Sequence, residues 1–239
     1  MALPQKPPLN GRIIAEFYLS SETVKRTTLR AYARPPDEQK ARVLLYDPIR
    51  RIVSEYFRRG RAEDVLLRCE GTLDRKHFDD ASFEERWLKS NRAAVAHLRG
   101  IELPGSFEEV RPLKTSITIG QLDVFSTVDF YARFAPSATN AKRKAVAVIV
   151  SPSGIKKPKL EDRKRWAEIE SEVGFRAAAA NGIILDEVFY IDLPHDEHYR
   201  FKSPKARVWS EIDATCERIF RDWRDLRLET TGGYGEEQG

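Results

Sequence analysis

Apolar residues recur along this chain with two periods, one helical and one of strand type, and the switches between them predict the order of elements. From Asp37-Glu-Gln-Lys onward, Leu45, Ile49, Ile52, Tyr56 and Phe57 return at helical spacing until Gly60. Pro48 falls inside that stretch, so a kink or a division into two helices is expected. Ile13 to Leu19 fits either a short strand or the start of a helix. Ser82-Phe-Glu-Glu85 has the form of a capping box, after which Phe83, Trp87, Ala94, Val95 and Leu98 mark one helical face as far as Gly100.

The period then shortens. Ser116 to Gly120, Leu122 to Phe134 and Lys144 to Ser151 are rich in β-branched and aromatic residues and predict three strands, the last two separated by loop chemistry from Ala135 to Ala141. The run from Val146 to Val150 has no polar alternation, as in a central strand covered on both faces. After Pro158 a helix carries Trp166, Ile169, Val173, Ala177 and Ala180 inward and stops at Asn181-Gly182. Ile184 to Leu193 predicts another buried strand. A last helix from Ser203-Pro204 shows Val208, Ile212, Cys216, Ile219, Trp223 and Leu226 on one side. The expected fold class is therefore α/β: a mixed central sheet flanked by helices, in the order helix, three strands, helix, strand, helix. An N-terminal, mostly helical extension is expected over 1–81, the α/β core over 82–229 and a frayed tail over 230–239.

Composition narrows the classes. With 239 residues and 41% hydrophobic content the chain can bury a substantial core, which argues against disorder despite 33% charged residues. A net charge of +4 permits contact with nucleic acid without demanding it. Cys69 and Cys216 lie far apart in no metal or redox spacing, as reduced thiols of a cytoplasmic protein would. No apolar run reaches signal-peptide or membrane-spanning length, so a cytoplasmic location without membrane contact is expected.

The element order over Ser82 to Leu193, with Asp129 on the second strand, resembles the core of the PD-(D/E)XK nuclease superfamily. The resemblance implies that Asp129 stands in the place of the motif aspartate, with Val128 where a proline is usual, and that it would ligate Mg²⁺ in an active enzyme, Mg²⁺ being a hard ion that takes oxygen ligands. Asp123 is an alternative on the same strand, and Glu84 or Glu85 would supply the acid of the preceding helix. Its third strand departs from the pattern: where an acid and, two residues on, a lysine belong, this chain has only Ala and Val between 145 and 148. Glu161, Lys164 and Glu168, which share a face of the next helix, would be the migrated replacements in an active enzyme; otherwise that face is a solvated one. A second resemblance, carried by Asn91, Val128-Asp129 and Cys216 with Trp223, is to an uncharacterised bacterial protein family, and implies no activity.

Lysines at both ends of the central strand offer a phosphate-contacting surface: Lys142, Arg143 and Lys144 before it, and Lys156, Lys157 and Lys159 after it. The arginines around Arg50 and Arg58 instead fit a solvated helix face. His195-Asp-Glu-His198 lacks zinc-protease spacing and is expected as a polar loop; no nucleotide P-loop and no nucleophile elbow is present. Two main functions stay open. One is a PD-(D/E)XK-like domain with a degenerate active site that binds DNA, RNA or other proteins of a bacterial system; the other is a Mg²⁺-dependent nuclease cleaving phosphodiester bonds. A purely structural interaction domain is the third.

Overall fold

The computed structural model of the chain describes residues 6–7, 9–33, 47–101, 107–111, 114–134, 145–151 and 159–232. In chain order the elements are β1 (Leu9–Asn10), α1 (Gly11–Leu19), α2 (Glu22–Ala33), α3 (Asp47–Arg58), α4 (Glu63–Leu73), α5 (Ala81–Gly100), β2 (Phe107–Arg111), β3 (Ser116–Ile119), β4 (Leu122–Phe125), β5 (Phe130–Phe134), β6 (Ala145–Ser151), α6 (Leu160–Ala180), β7 (Glu187–Asp192), β8 (Glu197–Phe201) and α7 (Ala206–Gly232). Five strands form one mixed sheet in the order β2-β5-β6-β7-β8, and β1-β4-β3 form a small second sheet. β6 and β7 run parallel through the crossover helix α6, while β2, β5 and β8 pair antiparallel to their neighbours.

The β6 run, which lacks polar alternation, is buried on both sides. Val146, Val148 and Val150 join Phe130, Phe189 and Ile191 in a core closed by α3, α4 and α5. Ala147 and Ile149 join Tyr131, Val188 and Tyr190 in a second core closed by α1, α6 and α7. The alternation of one strand thus divides the interior in two, and the N-terminal helices contribute to both halves. No helix among the described residues is long and apolar enough to cross a membrane.

The α/β class and its element order are as expected; several boundaries are not. Leu122 to Phe134 is two strands in two different sheets. β4 pairs with β3 across a turn at Gly120, whose φ of +57° only glycine adopts freely, and the chain then leaves the small sheet at Ser126. There the Ser126 N–H donates to Thr115 at 2.8 Å as a last rung beside β3, and the Ser126 hydroxyl accepts the Val128 N–H at 3.2 Å in a local turn that ends the pairing. The first strand of the large sheet is instead β2, hidden in the sequence because Glu108-Glu109 break its apolar pattern at a sheet edge. Pro48 lies in the first turn of α3, where its missing N–H costs nothing, so it opens that helix rather than kinking it. The expected capping box is displaced as well: Asp80 is the N-cap of α5 and accepts from the N–H groups of Ser82 and Phe83. The expected polar loop after β7 is one helical turn, Leu193–His195, followed by β8. α2 and α4 were not anticipated. The start expected at Asp37, the loop over 135–141 and the tail from 233 lie outside the described residues.

Candidate functional site

β5 runs antiparallel to β6, so its first residues lie beside the carboxyl end of β6, where β7 also ends. Open α/β sheets bind ligands at such an end, because the strands deliver side chains there and the crossover helix begins there. Asp129 arrives one residue before β5, its N–H donating to the Val148 carbonyl at 2.9 Å. Its side chain is 11% exposed, and both carboxylate oxygens accept hydrogen bonds. One oxygen accepts from Arg50 Nη2 at 2.7 Å and Nε at 3.1 Å, and the other accepts from the Val150 N–H at 2.7 Å. Burial pushes this carboxyl above its ordinary range, and Arg50 and the Val150 N–H pull in the opposite direction.

On the face covered by α1 and α6, a second carboxylate is wholly buried. Glu170 of α6 accepts from Thr127 Oγ1 at 2.8 Å, from the Tyr190 hydroxyl at 3.2 Å and from the Trp166 indole N–H. Arg12 of α1 lies 4.0 Å away and also bears electrostatically on Asp129. An unpaired buried carboxylate would cost several kcal/mol, and these three donors with one guanidinium offset it. Close approach makes the arrangement possible: a side chain at Gly11 would meet the Glu170 backbone at 3.3 Å, so glycine lets α1 carry Arg12 against α6.

The network continues along β7. Ser151, wholly buried, pairs in register with Asp192, and Tyr190, two residues earlier on β7, bonds to Ser151. The Asp192 carboxylate faces His195 Nδ1 at 2.9 Å; burial raises it and His195 draws it back. Arg163 of α6 donates to Glu197 at 2.8 Å. Two guanidinium nitrogens, Nε of Arg12 and Nε of Arg163, are buried with no hydrogen-bond acceptor among the described residues. Both atoms are enclosed, and that of Arg12 lies 4.0 Å from the Glu170 carboxylate.

The structure does not bring the other candidates to Asp129. Asp123 is exposed on the small sheet, bonded to Thr118 at 3.0 Å and 3.7 Å from Lys6. Glu84 accepts the Phe78 N–H at 2.8 Å at the start of α5, thirteen residues, or about 20 Å, from the His97 end of that helix. Glu85 follows Glu84 at the start of the second turn. Glu161 and Lys164 project into solvent in the first turns of α6, and Glu168 is engaged by Arg165 and by Lys205. The acids of α6 that do enter the interior are Glu170 and Glu172, the latter accepting from Arg176 at 2.9 Å and from the Lys205 N–H at 2.6 Å. Lys159 is exposed at the N-cap position of α6; Lys142, Arg143, Lys144, Lys156 and Lys157 lie outside the described residues.

These donors do not suit Mg²⁺. Both oxygens of Asp129 already accept hydrogen bonds, one of them from a guanidinium, so a fixed cation stands where the metal would be held. Among the described residues no three His, Cys, Asp or Glu side chains are grouped to hold a metal ion. Arg12, Glu170 and Asp192 escaped detection in the sequence, and Arg50, expected on a solvated helix face, turns to Asp129 instead. Glu170 alone left a trace in the sequence, being an acid next to Ile169 on the inward face of α6.

Comparison with known protein families finds no family model that matches the chain, and no curated protein matches it.

Proposed function

We propose that this protein is a PD-(D/E)XK-like domain whose active site is catalytically degenerate and which binds nucleic acid through phosphate contacts without cutting it, in the cytoplasm and as a component of a bacterial system. One observation carries this reading: the Arg50 guanidinium is bonded to the Asp129 carboxylate, so an organic cation replaces the metal that the expected chemistry needs. The absence of an acid and a lysine at 145–148 agrees with it, since cleavage then lacks a ligand and a charge stabiliser worth several kcal/mol in such sites. Lysines 156, 157 and 159 flank the carboxyl end of β6 in sequence and add phosphate contacts.

The test has two arms. Labelled single- and double-stranded DNA and RNA are incubated with Mg²⁺ or Mn²⁺ and wild-type protein beside Asp129→Ala. No cutting by either folded protein is expected; metal-dependent cutting that Asp129→Ala abolishes would make the protein a nuclease. Binding to the same probes is expected to weaken between about 50 and about 200 mM salt, and to weaken again when Lys156, Lys157 and Lys159 are replaced by alanine. Absent binding would turn the reading toward a protein partner.

A further inference from the structure

The turn between β7 and β8 is fastened from both sides of the sheet, and one fastening needs a protonated histidine. His97 sits in the last turn of α5 and is buried. Its Nδ1 faces the Asp196 carboxylate, and its Nε2 lies 3.2 Å from the Glu197 carbonyl. Both partners are acceptors only. A neutral imidazole has one N–H and one lone pair, so it serves one acceptor and repels the other; only the doubly protonated ring donates to both. The carboxyl end of a helix also favours the cation.

Asp196 in turn holds a left-handed conformation, φ 54° and ψ 40°, which costs most non-glycine residues energy and which aspartate tolerates when its side chain has a local partner. We propose that the His97–Asp196 pair is a protonation-controlled latch on the β7–β8 turn, closed when the ring is charged and open when it is neutral. On deprotonation the ring keeps the Glu197 carbonyl, which β8 holds in place, and releases the carboxylate of Asp196, whose side chain is 79% exposed and free to turn to water. The turn then loses the side-chain contact that ties Asp196 to α5. It carries His195, which engages Asp192 beside Ser151, so the latch bears on the buried polar cluster of the candidate site.

The surrounding charges leave His97 as the switching group. His198 of β8 faces it with ring centroids 6.1 Å apart. The Glu197 carboxylate is turned to Arg163 and Tyr199, and His195 to Asp192. On α5 and at its carboxyl cap the positions a turn away, Ala93, Ala94, Gly100 and Ile101, carry no charge.

Amide hydrogen exchange at residues 195–201, measured residue by residue on the full chain at pH about 5.5 and about 8 and corrected for the chemistry of exchange, tests the latch. Protection in the wild type is expected to fall by about tenfold at the higher pH, the equivalent of one charge-assisted hydrogen bond. His97→Gln is expected to show no such step, and His198→Gln to keep it. Asp196→Asn replaces an exposed side chain by one that tolerates the same backbone; it is expected to flatten the step even if His97→Gln does not fold. Equal protection at both pH values in the wild type overturns the latch. So does a full step in Asp196→Asn, or a step lost only in His198→Gln.

Discussion

Arg50 reaches Asp129 across 79 positions of sequence, and the pair decides what kind of site this is. Asp129 is the more deeply buried partner, and it also satisfies the Val150 N–H inside the sheet. Removing it leaves that donor without an acceptor, so Asp129→Ala is expected to cost about 1–3 kcal/mol in denaturant unfolding. Arg50→Met removes the cation and leaves the charge; because the guanidinium is 37% exposed and screened by water, the expected cost at pH 7 is about 1–2 kcal/mol. The two variants separate with pH. Burial holds the Asp129 carboxyl above its unfolded value, so the folded state binds this proton more tightly than the unfolded chain does. Stability from this group is therefore greatest in acid and declines as pH rises past about 4. Without Arg50 that decline steepens, so the Arg50→Met deficit should shrink toward acid while that of Asp129→Ala should not. Equal pH slopes would mean that Arg50 does not compensate the buried charge. Sequence alone singled out Asp129 but left Arg50 among the arginines of a solvated helix, because a long-range partner has no local signature.

At the scale of elements, α6 is the part that orders the site. It was legible from Pro158 to Asn181-Gly182, and it stops as expected: Gly182 takes φ +77° and the Ile183 N–H returns to Ala178 at 2.9 Å. What it packs against was not legible. A side chain at Gly174 would meet Val128 at 3.2 Å and Ile149 at 3.6 Å, so the helix backbone lies directly on the segment that delivers Asp129. Gly174→Ala gains about 1 kcal/mol of helix propensity against that contact and is expected to be close to neutral. Gly174→Leu overfills the space and should cost about 1–3 kcal/mol, with the amide resonances of Val128 and Asp129 shifting in NMR spectra. If Gly174→Leu leaves both stability and those resonances unchanged, the packing of α6 on Val128 is not close. The split of Leu122 to Phe134 is likewise an element-scale event. Both halves have strand composition, and only the Ser126 turn, a four-residue feature, separates them.

For the whole molecule, one sheet divides two cores, and each core holds one cysteine. Cys69 lies among α3, α4 and α5, and Cys216 among α1, α6 and α7. Burial pushes the thiols up to about 11 and about 12, helped by Glu70 and Asp213, so both are poor nucleophiles while folded. Single-thiol variants, Cys69→Ala and Cys216→Ala, turn each core into its own probe. Because β6 is shared by both, labelling by a thiol reagent in denaturant is expected to follow one unfolding rate. Two distinct rates would show that the two faces of the sheet open separately.

The sequence by itself determined the α/β class, the order of the main elements, the central place of β6 and the ends of α6, because periodicity, caps and turn residues are local properties of the chain. It also marked the absence of an acid and a lysine at 145–148. Only the tertiary structure decided which strands share a sheet, which charge meets Asp129 and that Glu170 rather than Glu161 or Glu168 turns inward. Those outcomes depend on pairings between residues distant in sequence, where the desolvation of a buried carboxylate selects its partner and composition carries no record of the choice.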